Sequence, residues 1–247
     1  MINFSVLEDH LITRILDEAY LLLEETGVEV QCDELIERME KAGLPVNKDT
    51  RRITFPRSIT EKSIASAPEI IQLFDRDGNP FSKIGGNKTN FVPGSSALNF
   101  LDWRSGERRK AKTADFIEYI KVVNQTKHIA YPSTAFSTDD IPQDIADAWR
   151  LYLAMAHSNK PIVSGAFTHH GVPRMARMME CFRKSQNEMK EKPMAVFTCC
   201  PNSPLRWGID SSHNLIDCVE KGIIVEIVPV LMIGLAVPVT TVGALVM

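Results

Sequence analysis

The sequence predicts an α/β protein: an incomplete (β/α) barrel of the TIM type behind an N-terminal cap of helices and short strands. Three observations carry that expectation. Apolar, β-branched runs start at residues 129, 162, 194 and 223. The intervals between them hold apolar residues at helical spacing, which is the rhythm of parallel βα units. Residues 1–89 do not follow this beat. The expected division is therefore a cap subdomain over residues 1–89 and the first half of a (β/α)8 barrel, truncated, over residues 90–247. A complete barrel takes eight pairs and about 250 residues for the barrel alone, so only four or five pairs fit in this length.

In the cap, Leu11, Ile15, Leu16, Ala19, Leu22 and Leu23 recur at helical spacing, and Gly27 supplies a stop. Leu35, Met39 and Leu44 mark a second helix ending near Gly43. Arg52-Ile53-Thr54-Phe55 reads as a short strand, and residues 59–67 as a short helix closed by Pro68. Residues 69–102 read as β structure broken by turns at Asp77-Gly78-Asn79-Pro80, Gly85-Gly86-Asn87 and Pro93-Gly94. Asn90-Phe91-Val92-Pro93-Gly94 is the candidate first strand of the main sheet, followed by a hairpin-like turn over residues 101–107.

The later strands are expected at residues 129–132, 162–167, 194–200 and 223–230. Thr113 is placed to cap a helix running to residue 126, with Phe116, Ile117, Ile120 and Val123 on one face. Asp139 or Asp140 is expected to cap the next, with Pro142 near its first turn and an inward stripe of Ile145, Ala148, Trp149, Tyr152 and Ala156. Met175, Met178, Met179 and Phe182 mark a third helix, read as core packing. A fourth runs between Asp210 and Gly222 and is expected to bury Leu215, Ile216 and Val219.

Composition narrows the class. The chain has 247 residues, 44% hydrophobic and 24% charged, with a net charge of -3. That is an ordinary globular balance with no electrostatic footprint for nucleic acid. Five cysteines at irregular spacing fit a reducing cytoplasm better than a disulfide framework. Met1-Ile2-Asn3-Phe4-Ser5 lacks the blocks of a signal peptide. Residues 227–247 carry no charge and are long enough to span a membrane. Pro229, Gly234, Pro238, Thr240, Thr241 and Gly243 argue instead for a buried strand, a loop and a helix start, because buried parallel strands read as continuous apolar runs. The expectation is a cytoplasmic protein with no membrane and no nucleic-acid partner.

An ordered set of short matches runs along the chain: Leu22-Leu23-Glu24-Glu25-Thr26-Gly27-Val28-Glu29-Val30; Phe91-Val92-Pro93-Gly94 with Asn99, Leu101-Asp102 and Gly106-Glu107-Arg108-Arg109; Asn159-Lys160-Pro161; Cys200-Pro201-Asn202-Ser203-Pro204-Leu205; and Ala236-Val237-Pro238-Val239-Thr240 with Gly243-Ala244-Leu245-Val246. In these the chain resembles the trimethylamine methyltransferase family, whose members pass a methyl group to a corrinoid protein. The resemblance implies a βα barrel, a small methylated amine as substrate, and a cobalamin carried by a partner protein rather than bound directly. It also implies a chain about twice this length, with the remaining strands, and any pyrrolysine, in the other half. The resemblance also admits the many relatives that lack pyrrolysine, for which it implies quaternary amines such as glycine betaine. Where the family often shows Pro-Met-Pro-Met-Ala-Gly, this chain has Pro229-Val230-Leu231-Met232-Ile233-Gly234.

The implied chemistry is a displacement at a methyl carbon, so the site must hold a cation and align one N–CH₃ bond. Aromatic faces suit a quaternary ammonium, which has no N–H to donate. Tyr131, Phe167 and Trp207 lie at or beyond strand ends and offer such faces, or else fill the barrel mouth. A substrate carboxylate would need donors, for which Asn99, Asn202, Ser203 and the amides around Gly94 are placed; the same residues also suit turns. No catalytic residue can be assigned from the sequence. A rival site is zinc on His169 and Cys200, although no Cys-x-x-Cys or His-Glu-x-x-His spacing supports it. A third reading is a non-catalytic barrel fragment serving assembly, since an open sheet edge favours a homo-oligomer or a second chain that completes the barrel.

Overall fold

A computed structural model describes residues 6–168, 171–230 and 232–247. Helix α1 (Asp9–Leu21) runs into a π-turn, Leu22–Thr26, which stops at Gly27. Gly27 has φ +64°, and a Cβ there would collide with the Ile53 carbonyl, so only glycine fits the exit. Strand β1 (Val28–Val30), helix α2 (Asp33–Lys41), strands β2 (Val46–Asn47) and β3 (Arg52–Ile53) and helix α3 (Arg57–Ser66) follow. Strands β4 (Ile70–Phe74) and β5 (Pro80–Gly85) form an antiparallel hairpin, as do the shorter β6 (Phe100–Leu101) and β7 (Arg108–Arg109). Then come helix α4 (Thr113–Gln125), helix α5 (Ala146–His157), strand β8 (Ile162–Ser164), helices α6 (Gly171–Glu180) and α7 (Gln186–Glu191), and strand β9 (Ala195–Cys199). Strand β10 (Arg206–Trp207), helix α8 (Ile209–Lys221), strand β11 (Ile224–Ile227) and helix α9 (Thr241–Val246) complete the order.

The expected parallel beat takes physical form as a three-stranded parallel sheet in the order β11-β9-β8. Two extended segments continue it without regular ladders. Residues 132–134 lie beside β8, with Thr134 N–H donating to Val163 O at 3.1 Å and Val163 N–H to Pro132 O at 3.0 Å. Residues 91–97 lie beside residues 130–137 through Ala130 N–H to Phe91 O at 2.8 Å and Ala97 N–H to Ala135 O at 2.9 Å. Pro93 and Pro132 have no N–H to give, so these two runs make bridges where strands were expected. The neighbour order thus follows the chain order. The architecture is mixed α/β with small sheets, none of which closes into a barrel among the described residues.

By its contacts the chain divides into two compact units. One comprises the described residues of Met1–Pro68, Cys200–Ser212 and Val228–Met247; its sheet has the order β10-β1-β3-β2. The other comprises Glu69–Cys199 and His213–Ile227 and holds the parallel sheet. Its main core joins Phe116 and Ile120 of α4, Leu151 and Ala154 of α5, Met175 and Met179 of α6, and Ile162, Ala195 and Phe197 of the strands.

Several expected details differ. Thr113 is the first helical residue of α4 and not its cap; Asp115 reaches back to the Lys112 N–H at 2.8 Å. The Asp140 carboxylate, expected to cap its own helix, accepts the Thr113 N–H at 3.0 Å and so serves α4. On α5 the expected Ala148 is buried and Trp149 packs against the core, but the buried positions also include Ala146, Asp147, Arg150, Leu151, Leu153, Ala154 and Met155, while Ile145, Tyr152 and Ala156 are exposed. Two charged residues occupy inward positions, so apolar periodicity placed only part of the buried face. On α8, Ser212 and Asn214 take buried positions beside Ile216 and Cys218, and Val219 is 68% exposed. Phe182 lies just past α6 and is exposed.

Candidate functional site

Side chains alternate across a strand, so the register sorts each position of the parallel sheet to one face or the other. Val163, Val196 and Ile224 share one face and pack with Tyr131 and Leu73 as an apolar layer. Two residues further along, toward the strand C-termini, the same face carries Gly165, Thr198 and Glu226. Thr198 and Glu226 are direct cross-strand partners, and Thr198 Oγ1 donates to Glu226 Oε1 at 2.5 Å. Gly165 passes so close that a Cβ there would stand 2.9 Å from the Thr198 carbonyl. The result is a half-buried carboxylate held by a hydroxyl, set just beyond an apolar floor.

The opposite, helix-facing side carries two buried charges, Arg150 and Asp147, and Asp147 Oδ1 lies 3.5 Å from Arg174 Nη2 of α6. Arg150 of α5 is fully buried; its Nη1 donates to Thr134 O at 3.0 Å, and its Nε has no partner among the described residues. Its guanidinium carbon lies 4.3 Å from the centre of the Phe167 ring. Burial pushes the Arg150 pKa down to about 10, opposed by the nearby Asp147 charge, which leaves the group a cation at neutral pH. Asp147, also buried, accepts the Ala148 N–H at 2.6 Å and the Phe167 N–H at 3.2 Å. Gly171, the first residue of α6, sits where any Cβ would strike that carboxylate. Asn214 of α8 donates to Ala166 O at 3.1 Å. The loop after β8 is thus anchored to α5 and α8 and packed against α6, and it presents Phe167 with 47% exposure.

The residues singled out from sequence fall in both units. In the unit with the parallel sheet, Tyr131 is 2% exposed and belongs to the apolar layer, its hydroxyl bonded to Ser82 and its ring 6.4 Å from that of Phe81. Of the two roles expected for it, an open aromatic face or a packing ring, its burial fits packing. Gly94 is exposed and its carbonyl accepts the Ser133 hydroxyl at 2.7 Å; Asn99 is exposed at the entry to β6. In the other unit, Trp207 is half-buried in β10, and its carbonyl accepts the Gln31 N–H at 2.9 Å. Asn202 and Arg206 exchange two backbone hydrogen bonds around a tight turn, and Ser203 Oγ donates to Val230 O at 3.1 Å.

Cys200, named with His169 as the rival zinc site, is exposed, whereas its neighbour Cys199 is buried. His169 and Leu231 lie outside the described residues. Among the described residues no three His, Cys, Asp or Glu side chains cluster as a metal site. No helix among them is long and apolar enough to cross a membrane. Sequence reasoning passed over Glu226, Thr198, Asp147 and Arg150. Glu226 had one available signal: it is the only charge in the apolar run 223–230.

Comparison with known proteins adds ancestry to this geometry. Residues 1–247 match the family model described as trimethylamine methyltransferase. A trimethylamine methyltransferase of Desulfitobacterium hafniense is 22% identical over 91% of this chain and 45% of its own length. A glycine betaine methyltransferase of the same species is 24% identical over 98% of this chain and 50% of its own length. A proline betaine:corrinoid methyltransferase of Eubacterium limosum is 24% identical over 91% of this chain and 47% of its own length. The chain spans about half the length of these curated relatives.

Proposed function

We infer from the trimethylamine methyltransferase family, to which this chain belongs, that it is the N-terminal part of an enzyme moving a methyl group from a methylated or quaternary amine to a corrinoid protein. In this reading the five extended runs of the parallel array are the first strands of a (β/α) barrel, still incomplete, and the N-terminal helices and short strands are its cap. The reduced cobalt of the corrinoid, carried by the partner, supplies the nucleophile that takes the methyl group.

The observation that carries the reading is the Thr198–Glu226 pair on the sheet face beyond the apolar layer. A carboxylate there supplies the counter-charge that an alkylammonium needs, and the apolar layer keeps water from competing for it. Thr198 fixes the carboxylate by taking one of its lone pairs. Phe167 offers a second element of recognition through the ring face away from Arg150, with Asp147 offsetting the guanidinium charge. Positive charge leaves the nitrogen as the methyl group departs, so Glu226 favours the bound substrate more than the transition state. Its role is to capture and orient the cation.

Titration of the full-length protein with trimethylammonium, glycine betaine and proline betaine tests this. Glu226→Gln should weaken binding of the preferred amine by about tenfold or more, with the thermal midpoint unchanged. Equal affinity in the two proteins would remove Glu226 from the site. No binding of any methylated amine, with stoichiometric zinc found instead, would favour the zinc-dependent reading.

A further inference from the structure

The β6–β7 hairpin stands apart from the rest of its unit in composition and in finish. Leu98, Leu101 and Trp103 are 69%, 67% and 73% exposed, close together in sequence and unpartnered by the core. Residues 103–112 carry Arg104, Arg108, Arg109, Lys110 and Lys112 against Glu107 alone, within a chain of net charge -3. Arg108, Lys110 and Lys112 are in no salt bridge among the described residues. The hairpin is also rigid. Arg109 bonds both Asp102 and Asp115 with its guanidinium at 2.7 to 3.1 Å, and Lys110 Nζ donates to Leu98 O at 3.1 Å. Arg104 pairs with Glu118 while its guanidinium lies 4.4 Å from the Trp103 ring. An exposed tryptophan stacked on arginine, held on a preformed support, has the composition of a binding hot spot.

Topology gives its direction. The hairpin follows the end of residues 91–97 and leads into the N-terminus of α4. In a parallel array that is the side where strands end, the side that also carries Phe167 and Glu226. We propose that the β6–β7 hairpin is a docking site for an acidic, apolar-centred surface of the cobalamin-carrying protein. This inference rests on the methyltransferase reading above. The apolar centre favours a protein over a nucleic acid, and the basic rim requires that the partner's contacting surface be acidic. Steering by the rim accelerates encounter, and Trp103 slows dissociation.

Methyl transfer by the full-length protein, measured to two acceptors, tests the proposal: free cob(I)alamin, and each corrinoid protein of the source organism loaded with cobalamin. Trp103→Ser and Arg108→Glu should each lower transfer to the corrinoid protein at least about tenfold and leave transfer to free cob(I)alamin at the wild-type rate. Wild-type transfer to the corrinoid protein should fall with added salt, and less so in Arg108→Glu. Wild-type transfer to neither acceptor would defeat the methyltransferase reading itself. Transfer to free cob(I)alamin but to no corrinoid protein, or equal rates in wild type and both variants, would overturn the docking site alone. So would parallel losses with both acceptors, which would make the hairpin a folding element. A salt-sensitive complex with duplex DNA, lost in Arg108→Glu while methyl transfer is untouched, would assign the patch to nucleic acid.

Discussion

Arg150 shows how much of this protein's chemistry hides under its core. A fully buried guanidinium persists only if its charge is answered; Asp147, one helical turn away and equally buried, supplies a favourable field while also pairing with Arg174 at 3.5 Å. Removing Asp147 strips the buried Arg150 of the favourable field and Arg174 of its carboxylate partner. Asp147→Ala should therefore cost about 3–5 kcal/mol in denaturant unfolding. Arg150→Met with Asp147→Ala should cost clearly less than the sum of the two single changes. Additive costs would show that the two charges do not depend on each other. The two aromatic candidates separate in the same way. Tyr131→Ala should destabilise by about 3–5 kcal/mol, because the ring fills the layer between Leu73 and Val196. Phe167→Ala should leave the thermal midpoint nearly unchanged and weaken amine binding. The reverse pattern would exchange their roles.

At the scale of elements, charged side chains repeatedly finish what the backbone leaves open. Lys160 Nζ donates to Val123 O at 2.9 Å, Thr126 O at 2.9 Å and Ile129 O at 2.7 Å, closing the C-terminal end of α4 and the turn beyond it. Lys160→Met should cost about 1–3 kcal/mol, read as a lower unfolding midpoint; no change would mean water replaces the ammonium freely. At the other end of α4, hydrogen bonding from Arg109 is the largest cause holding the Asp115 carboxyl below its ordinary value of 3.8. A carboxyl depressed in the folded state stabilises above its unfolded pKa, and that contribution is lost as pH falls through the folded value. Arg109→Gln should flatten the loss of stability below about pH 4. An acid limb as steep as wild type would place the acid-sensitive group elsewhere.

These devices also mark what the sequence could and could not convey. Helices α2 and α4 and strand β9 were legible because Leu35, Phe116, Ile120, Val123 and the residues of β9 on which the pattern rests are buried, and Gly27 and Gly43 end the first two helices on schedule. Helix α1 and strand β11 were legible from spacing, although α1 buries only Ile15 and Ile227 of β11 is exposed. The full buried face of α5 was not, because Asp147 and Arg150 violate the rule that charge faces water. Asp140 was read as a local cap, because nothing local says that its partner lies 27 residues back. Tyr131 and Phe167 look alike as aromatics at strand ends, and only the β4–β5 hairpin beneath the apolar layer decides which is buried. Candidate residues chosen for chemistry alone therefore included a core filler, and the Thr198–Glu226 pair, which needs register to be seen, was missed.

At the scale of the molecule, the chain carries a parallel array in chain order, no closed sheet among the described residues, and about half the length of its curated relatives. Val228, Ile233, Leu235 and Val239 are exposed, far more apolar surface than a loop usually leaves in water. Purified as these 247 residues alone, the protein should self-associate in light scattering and bind a hydrophobic dye; a monodisperse monomer that binds none would contradict this. In the proposed reading catalysis belongs to the complete protein, and its signature is optical. We expect anaerobic incubation of the full-length protein with cob(I)alamin and trimethylammonium, glycine betaine or proline betaine to convert the cob(I)alamin spectrum to that of methylcobalamin, in proportion to amine consumed. Conversion that is no faster with the protein than without it, for every amine supplied, would contradict the assignment.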